Sequence, residues 1–183
     1  MLIRGEQDED APTVAAIVSA AFDDGGVVAR LVEALRKLLI ESQGCSLVAE
    51  VDGEIVGHVM FTPALLDAPR ELVTVQVLSP LAVAPSHQRT GVGTQLVEAG
   101  LTEMREAGVS VVFLEGSPLY YGRFGFTPGG DQGFRKPSLR TPDAAFQALR
   151  LAAWEPWMTG TLVYPHAFWE ADAVGLRPPD ARG

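Results

Sequence analysis

The sequence predicts an α/β domain: a central mixed sheet with helices on both faces. Three observations carry that expectation. An apolar run at residues 78–83 feeds a glycine-containing turn, Gln88-Arg89-Thr90-Gly91-Val92-Gly93, which opens directly into a helix with Leu96, Val97 and Leu101 on one stripe. Two strand-like runs, 46–51 and 54–63, meet at Asp52-Gly53, a dipeptide favoured in tight hairpin turns, so one part of the sheet is antiparallel. A helix between the apolar runs 71–83 and 109–114 suggests a right-handed parallel crossover, so another part is parallel.

In chain order, residues 1–5 alternate as a short first strand. Asp10 reads as an N-cap and Pro12 suits a first helical turn, ahead of Val14, Ile17, Val18, Ala21 and Phe22 at helical spacing. Gly25-Gly26 breaks that helix. Val28, Leu31, Val32, Leu35, Leu38 and Leu39 restart the same period as a second one. The hairpin carries His58, read as a packed or edge residue and not a ligand, and residues 67–70 form a loop. The strand 71–83 is interrupted at Ser79-Pro80. Proline lacks the N–H a ladder needs, so this point is a bulge, an edge or the end of pairing.

The third helix spans 94–107 and stops at Gly108, and 109–114 is a short, β-branched, buried strand. Residues 116–118 turn into a short helix bearing Tyr120 and Tyr121, which Gly125 ends before a strand begins at Phe126-Thr127. Residues 131–143, with Gly133, Pro137 and Pro142, are irregular, and 145–152 alternates as a strand. One domain over residues 1–173 is expected, with 174–183, containing Pro178-Pro179, as a frayed tail.

Composition bounds the setting. Residues 1–10 are polar and acidic, unlike a signal peptide, and no apolar run approaches a membrane span, so a cytoplasmic location without a membrane partner is expected. The formal charge of −9 argues against nucleic acid or anionic lipid as partner. It is compatible with a cationic amine substrate and equally with simple solubility. Cys45 is the single cysteine, placed in a polar turn, and no zinc pattern is present, so no metal is expected. Oligomeric state is open, a homodimer included.

A helix start leaves backbone N–H groups without intrahelical partners, and the macrodipole adds partial positive charge there, so an anion is favoured. Gly91 and Gly93 let a ligand approach that backbone. The P-loop pattern fails because no lysine stands beside Thr94, which Gln95 and Leu96 follow, and the dinucleotide fingerprint fails because Leu96 stands where its third glycine belongs.

Val83-Ala84-Pro85 followed by Gln88-x-x-Gly91-x-Gly93 at the opening of a helix resembles the acetyl-CoA-binding segment of the GCN5-related N-acetyltransferase (GNAT) superfamily, whose pattern is Q/R-x-x-G-x-G/A. Residues 114–126, LEGSPLYYGRFGF, are similar to a stretch of the YhbS-like branch of that superfamily. The branch resemblance also covers residues 160–168 as its last strand. It implies a mostly antiparallel twisted sheet whose fourth and fifth strands splay apart, leaving main-chain groups of Leu81, Ala82 and Val83 free for the pantetheine arm. Backbone N–H groups of Arg89, Thr90, Gly91, Val92, Gly93 and Thr94 would hold the pyrophosphate, with Arg89 adding charge or standing as an exposed cation.

The resemblance implies acetyl-CoA as co-substrate and a primary amine of a small molecule or peptide as acceptor. Tyr121 matches the tyrosine of the family's Y-x-x-x-G-F pattern, which sits near the cofactor sulfur in many members, so it is the expected catalytic acid; as residues alone, both tyrosines read as packing aromatics. Tyr120, one residue away, is expected to point elsewhere. Glu115 and Ser79 are the weak candidates for a base, and Glu33 and Arg36 face either the acceptor or solvent. The competing readings are a non-catalytic acyl-CoA-binding or regulatory protein and, more remotely, a nucleotide-binding module. The acceptor's identity and the acyl length are open.

Overall fold

The structure is a computed structural model that describes residues 1–22, 24–39 and 43–176. Its strands are β1 (Leu2–Gly5), β2 (Cys45–Val51), β3 (Glu54–Asp67), β4 (Leu72–Val83), β5 (Val111–Glu115), β6 (Thr127–Pro128), β7 (Phe134–Arg135), β8 (Phe146–Arg150) and β9 (Gly160–Val163). Among the described residues they form one sheet in the order β1-β2-β3-β4-β5-β8-β6, with β9 on the far half of β3 and β7 beside it. Pairing is antiparallel except for β4 with β5 and β7 with β9. The expected mixed, mostly antiparallel sheet is present.

Period-two alternation divides the side chains between two cores. Val111 and Phe113 join Val75 and Val77 on one face, where α1 (Ala11–Phe22), α2 (Val27–Leu39) and α5 (His166–Glu170) contribute Val14, Leu31, Leu35 and Phe168. Val112 and Leu114 join Val59, Phe61 and Leu78 on the other, against Leu96, Val97, Leu101 and Met104 of α3 (Val92–Glu106). Gly100 sets how closely α3 approaches, because a Cβ there would overlap the Phe61 ring. The remaining helix, α4 (Pro118–Tyr121), follows β5.

The feature that positions the site is the end of β4. Val59 pairs with Leu81 and Phe61 with Leu78, so Met60 faces two residues, Ser79 and Pro80, across a bulge. Pairing with β5 is confined to Gln76 with Val112 and Val77 with Phe113. Beyond that point β4 and β5 part, and the edge of Leu81, Ala82 and Val83 that faces away from β3 has no ladder partner in β5.

Several elements differ from expectation. Asp10 does not cap α1 from the N-cap position; it ends a 3₁₀ turn, accepts the Gln7 N–H at 2.8 Å and pairs with Arg4 at 2.6 Å, because a carboxylate three residues into a turn reaches back to its first amide. The hairpin turn has φ of 53° at Asp52 and 83° at Gly53, and its second strand runs on through Pro63 to Asp67, since β4 and then β9 pair with the extension. Cys45 lies on β2 opposite Phe61 and not in a turn; burial, and then Glu103, push its thiol up to about 12. Half-buried and with its thiol raised in this way, it is little ionised at neutral pH.

α3 starts at Val92, two residues earlier than the spacing suggests, because Gly91 takes the left-handed conformation at its N-cap with φ of 95°. Within the expected irregular stretch, Phe134–Arg135 pairs with β9. The last strand stops at Val163, and residues after Pro165 are helical as α5. Val174 is buried, and the Leu176 N–H donates to the Arg140 carbonyl at 3.1 Å, so residues 174–176 pack against the domain; residues 177–183 of the expected tail lie outside the described residues. Among the described residues no helix is long and apolar enough to cross a membrane.

Candidate active site

The turn between β4 and α3 forms one wall of a cavity of 590 Å³. Gly91, at φ of 95°, adopts a backbone that side chains resist, and Arg89 is also left-handed at 63°. Local hydrogen bonds hold the turn: Gln88 Nε2 donates to the Val83 carbonyl at 3.1 Å, and the Thr90 hydroxyl donates to the His87 carbonyl at 2.6 Å. Of the nine residues expected at the cofactor, Leu81, Val83, Arg89, Gly91, Gly93 and Thr94 line this cavity. Ala82 and Val92 bury their side chains in opposite cores, so they can offer only main chain, and Thr90 spends its hydroxyl on the turn itself.

The two tyrosines diverge. Tyr120 closes the cavity over the glycine turn: a Cβ built on Gly93 would lie 2.7 Å from its hydroxyl oxygen, and Thr94 lines the same cavity. Arg123 lies 4.7 Å from the centroid of the Tyr120 ring, donates from Nε to the Tyr120 carbonyl at 2.9 Å and lines the same cavity. Sequence reasoning gave Arg123 no role. The signal was its i+3 spacing from Tyr120 in a motif already singled out, which puts both on one side of the short helical turn.

Tyr121 turns to a second cavity of 480 Å³, lined also by Ser79, Pro80, Leu81 and Glu115. Its ring rests on Gly116, where a Cβ would overlap it, and meets Phe126 and Tyr120 edge-on at 6.0 and 4.9 Å. Burial, followed by the neighbouring Tyr120, raises its phenol well above the ordinary value, which keeps it protonated at neutral pH.

Glu115, at the end of β5, is a hub. Its Oε1 accepts from the Tyr164 hydroxyl at 3.1 Å and the Thr141 hydroxyl at 3.3 Å, and its Oε2 from the Gly175 N–H at 3.2 Å. Burial raises its carboxyl above the usual range, and these hydrogen bonds oppose that rise. Ser79 is the other base candidate brought to this cavity.

Residues of the α2 face and hairpin go elsewhere. Arg36 binds Glu6, whose other oxygen accepts from Ser46; Ser46 Oγ in turn lies 2.8 Å from His58 Nε2, so Arg36 and His58 belong to a network under β2 and β3. Glu33 is exposed and lines neither cavity. Among the described residues no cluster of His, Cys, Asp and Glu could hold a metal ion.

Phe22 and Leu81 line both cavities, so the two meet where β4 and β5 separate. Phe22 was expected only as part of a helical stripe; at 42% exposed it is a wall of the site instead. An anion-favouring turn and a chamber holding a protonated phenol and a carboxylate therefore adjoin across Phe22 and Leu81.

The sequence model of the Acetyltransferase (GNAT) domain matches residues 3–129. The crystal structure of the GNAT family N-acetyltransferase YhbS from Escherichia coli, in complex with CoA, superposes with a TM-score of 0.80 at 34% identity over 91% of each chain. A GNAT family acetyltransferase from Brucella melitensis, in complex with acetyl-CoA, gives a TM-score of 0.72 at 32% identity over 91% of this chain and 97% of that one. YjhQ of Escherichia coli K12, named an uncharacterized N-acetyltransferase, is 40% identical over 93 residues, which is 50% of this chain and 51% of that protein. The chain thus matches about half the length of that curated relative.

Proposed function

The chain belongs to the GNAT acetyltransferase family, and on that premise we propose that it transfers an acetyl group directly from acetyl-CoA to a primary amine, with Tyr121 as the general acid. The observation that carries this reading is the divergence of β4 from β5 after Val77 and Phe113, beside which the two cavities adjoin at Leu81. In this reading the free edge of Leu81, Ala82 and Val83 hydrogen-bonds the pantetheine arm as an added strand would. The amides from Arg89 to Thr94, at the start of α3, neutralise the pyrophosphate. The two relatives solved with CoA and acetyl-CoA support a CoA-type donor.

The neutral amine nitrogen attacks the thioester carbonyl, and collapse of the tetrahedral intermediate breaks the C–S bond. The leaving thiolate takes the Tyr121 phenolic proton, and the amine's surplus proton returns to the phenolate through solvent. Holding both reactants at one opening supplies the orientation, and the positioned phenol supplies the acid. The working unit is residues 1–173 as one domain, supported by a single sheet that runs from Leu2 to Val163.

The test is calorimetric titration with acetyl-CoA, CoA and ATP, followed by thiol release from acetyl-CoA across an amine panel. Binding of acetyl-CoA and CoA but not ATP, with amine-dependent thiol release, is expected. Binding without release would instead identify a non-catalytic CoA-binding protein.

A further inference from the structure

Resting on the acetyl-transfer reading, we propose that the chamber beside Tyr121 admits a small primary amine carried on an uncharged, apolar body, and that the Glu115 carboxylate receives its ammonium group, which gives its extra proton to solvent before the neutral nitrogen attacks the thioester. Most of the wall is apolar: Val28 and Leu31 of α2, Phe168, Ala173 and Leu176 line it, with hydroxyls at Ser79, Tyr121 and Tyr164. Among the described residues no lysine or arginine lines this chamber, and Glu115 is its only carboxylate. The nearby Arg140 is engaged with Asp172 at 3.4 Å.

The hydrogen-bond inventory of Glu115 shows a vacancy of the right kind. A carboxylate offers about four lone-pair sites. Tyr164 and Thr141 take two on Oε1, and Gly175 takes one on Oε2. One site on Oε2 has no donor among the described residues, Glu115 lines the chamber, and an ammonium entering it would supply both donor and charge. Burial already raises this carboxyl, so a cationic partner relieves the cost of keeping it ionised.

Electrostatics then discriminates. An acceptor bearing a carboxylate next to its amine would bring a second anion against Glu115 in a chamber with no lining cation, and a polyhydroxylated body would leave most of its hydroxyls unpaired against Val28, Leu31 and Phe168. A volume of 480 Å³ falls in the ordinary range for small-molecule sites, roughly 300–1,000 Å³. The C-terminal wall is held by the Gly175 and Leu176 N–H groups, which bond Glu115 and the Arg140 carbonyl.

The experiment uses matched amines with full-length protein and acetyl-CoA: phenethylamine against phenylalanine, tryptamine against tryptophan, and glucosamine as the polar control. The expected result is kcat/KM at least about tenfold higher for phenethylamine and tryptamine than for the other three. Glu115→Gln keeps an acceptor for Tyr164 and Thr141 but removes the charge, and should reduce the phenethylamine-to-phenylalanine ratio at least about fivefold. Leu176→Arg, at a position 70% exposed, leaves the core alone and should move the same ratio towards phenylalanine, so a poorly folding Glu115→Gln does not decide the matter. Equal rates for the matched pairs, a preference for glucosamine, ratios unmoved by both variants, or silence of every amine while acetyl-CoA still binds would each overturn the inference. Failure to bind acetyl-CoA at all would remove the acetyl-transfer reading beneath it, and the titration separates that case.

Discussion

The hydroxyl oxygen of Tyr120 lies 2.7 Å from the place a Cβ on Gly93 would occupy, so the aromatic of one motif closes over the glycine turn of the other. The two sequence motifs meet in space at these two residues. Tyr121, next in the chain, faces the other cavity. The pair therefore faces two different cavities, and on the proposed mechanism single hydroxyl deletions should separate binding from chemistry.

Tyr121→Phe keeps the ring on Gly116 and removes the proton. General acid help of this kind is worth roughly 10²–10⁴-fold, so kcat should fall by at least about 10²-fold with acetyl-CoA affinity unchanged. Tyr120→Phe should leave kcat alone and weaken acetyl-CoA binding about fivefold, about 1 kcal/mol, through loss of the hydroxyl that closes over Gly93 at the cavity. Steady-state kinetics with calorimetry on both variants checks this, and a Tyr121→Phe enzyme turning over like the parent would show that solvent protonates the thiolate.

The two turn glycines should fail differently. Nothing lies within 4 Å of a Cβ on Gly91, so Gly91→Val acts through backbone strain at φ of 95°, costing roughly 1–3 kcal/mol locally and abolishing CoA binding in a folded protein. Gly93→Ala instead pushes a methyl group at the Tyr120 hydroxyl and should move Tyr120 before it moves the turn. Combining Gly93→Ala with Tyr120→Phe should recover part of the affinity that Gly93→Ala loses. Additive losses in that double-mutant cycle would show the contact to be unimportant.

Arg123→Gln removes a cation that the Tyr120 ring and carbonyl hold at the anion-favouring cavity. Affinity for CoA should drop about tenfold, while binding of pantetheine, which lacks the nucleotide phosphates, should not change. The deficit should shrink as salt rises from low to physiological strength, because Arg123 is exposed and its field is screened over about 8–10 Å. A loss that is the same for both ligands would assign Arg123 to packing.

Acid stability should report the network beneath β2 and β3. Burial alone would raise the Glu6 carboxyl, but His58, whose Nε2 lies 3.6 Å away, and hydrogen bonds from Arg36 and Ser46 outweigh it and hold the group at about 2, against an ordinary 4.5. A carboxyl whose folded value is depressed contributes stability that is full above the unfolded value and is lost as pH falls towards the folded one. The contribution here is on the order of 3 kcal/mol, present above pH of about 5 and lost between there and about 2. Glu6→Gln should therefore lower the melting temperature at pH 7 and flatten its decline on acidification. A variant that declines in parallel with the parent would exclude Glu6 as the acid-sensitive group.

What the sequence determined by itself is what short-range chemistry decides. The Asp52-Gly53 turn, the apolar periods of α1, α2 and α3, the glycine-opened helix start and the interruption at Pro80 each depend on residues within about one turn of one another, where backbone sterics and side-chain spacing act. Tertiary structure decided the rest, because it concerns partners far apart along the chain. Glu115 reads as a strand-end carboxylate until Thr141, Tyr164 and Gly175 arrive from 26, 49 and 60 residues away to occupy three of its acceptor sites. Cys45 reads as a turn residue until pairing with β3 sets it against Phe61. The adjacent residues Tyr120 and Tyr121 differ in the neighbour each rests on, Gly93 for one and Gly116 for the other, and only packing brings Gly93 of α3 to Tyr120.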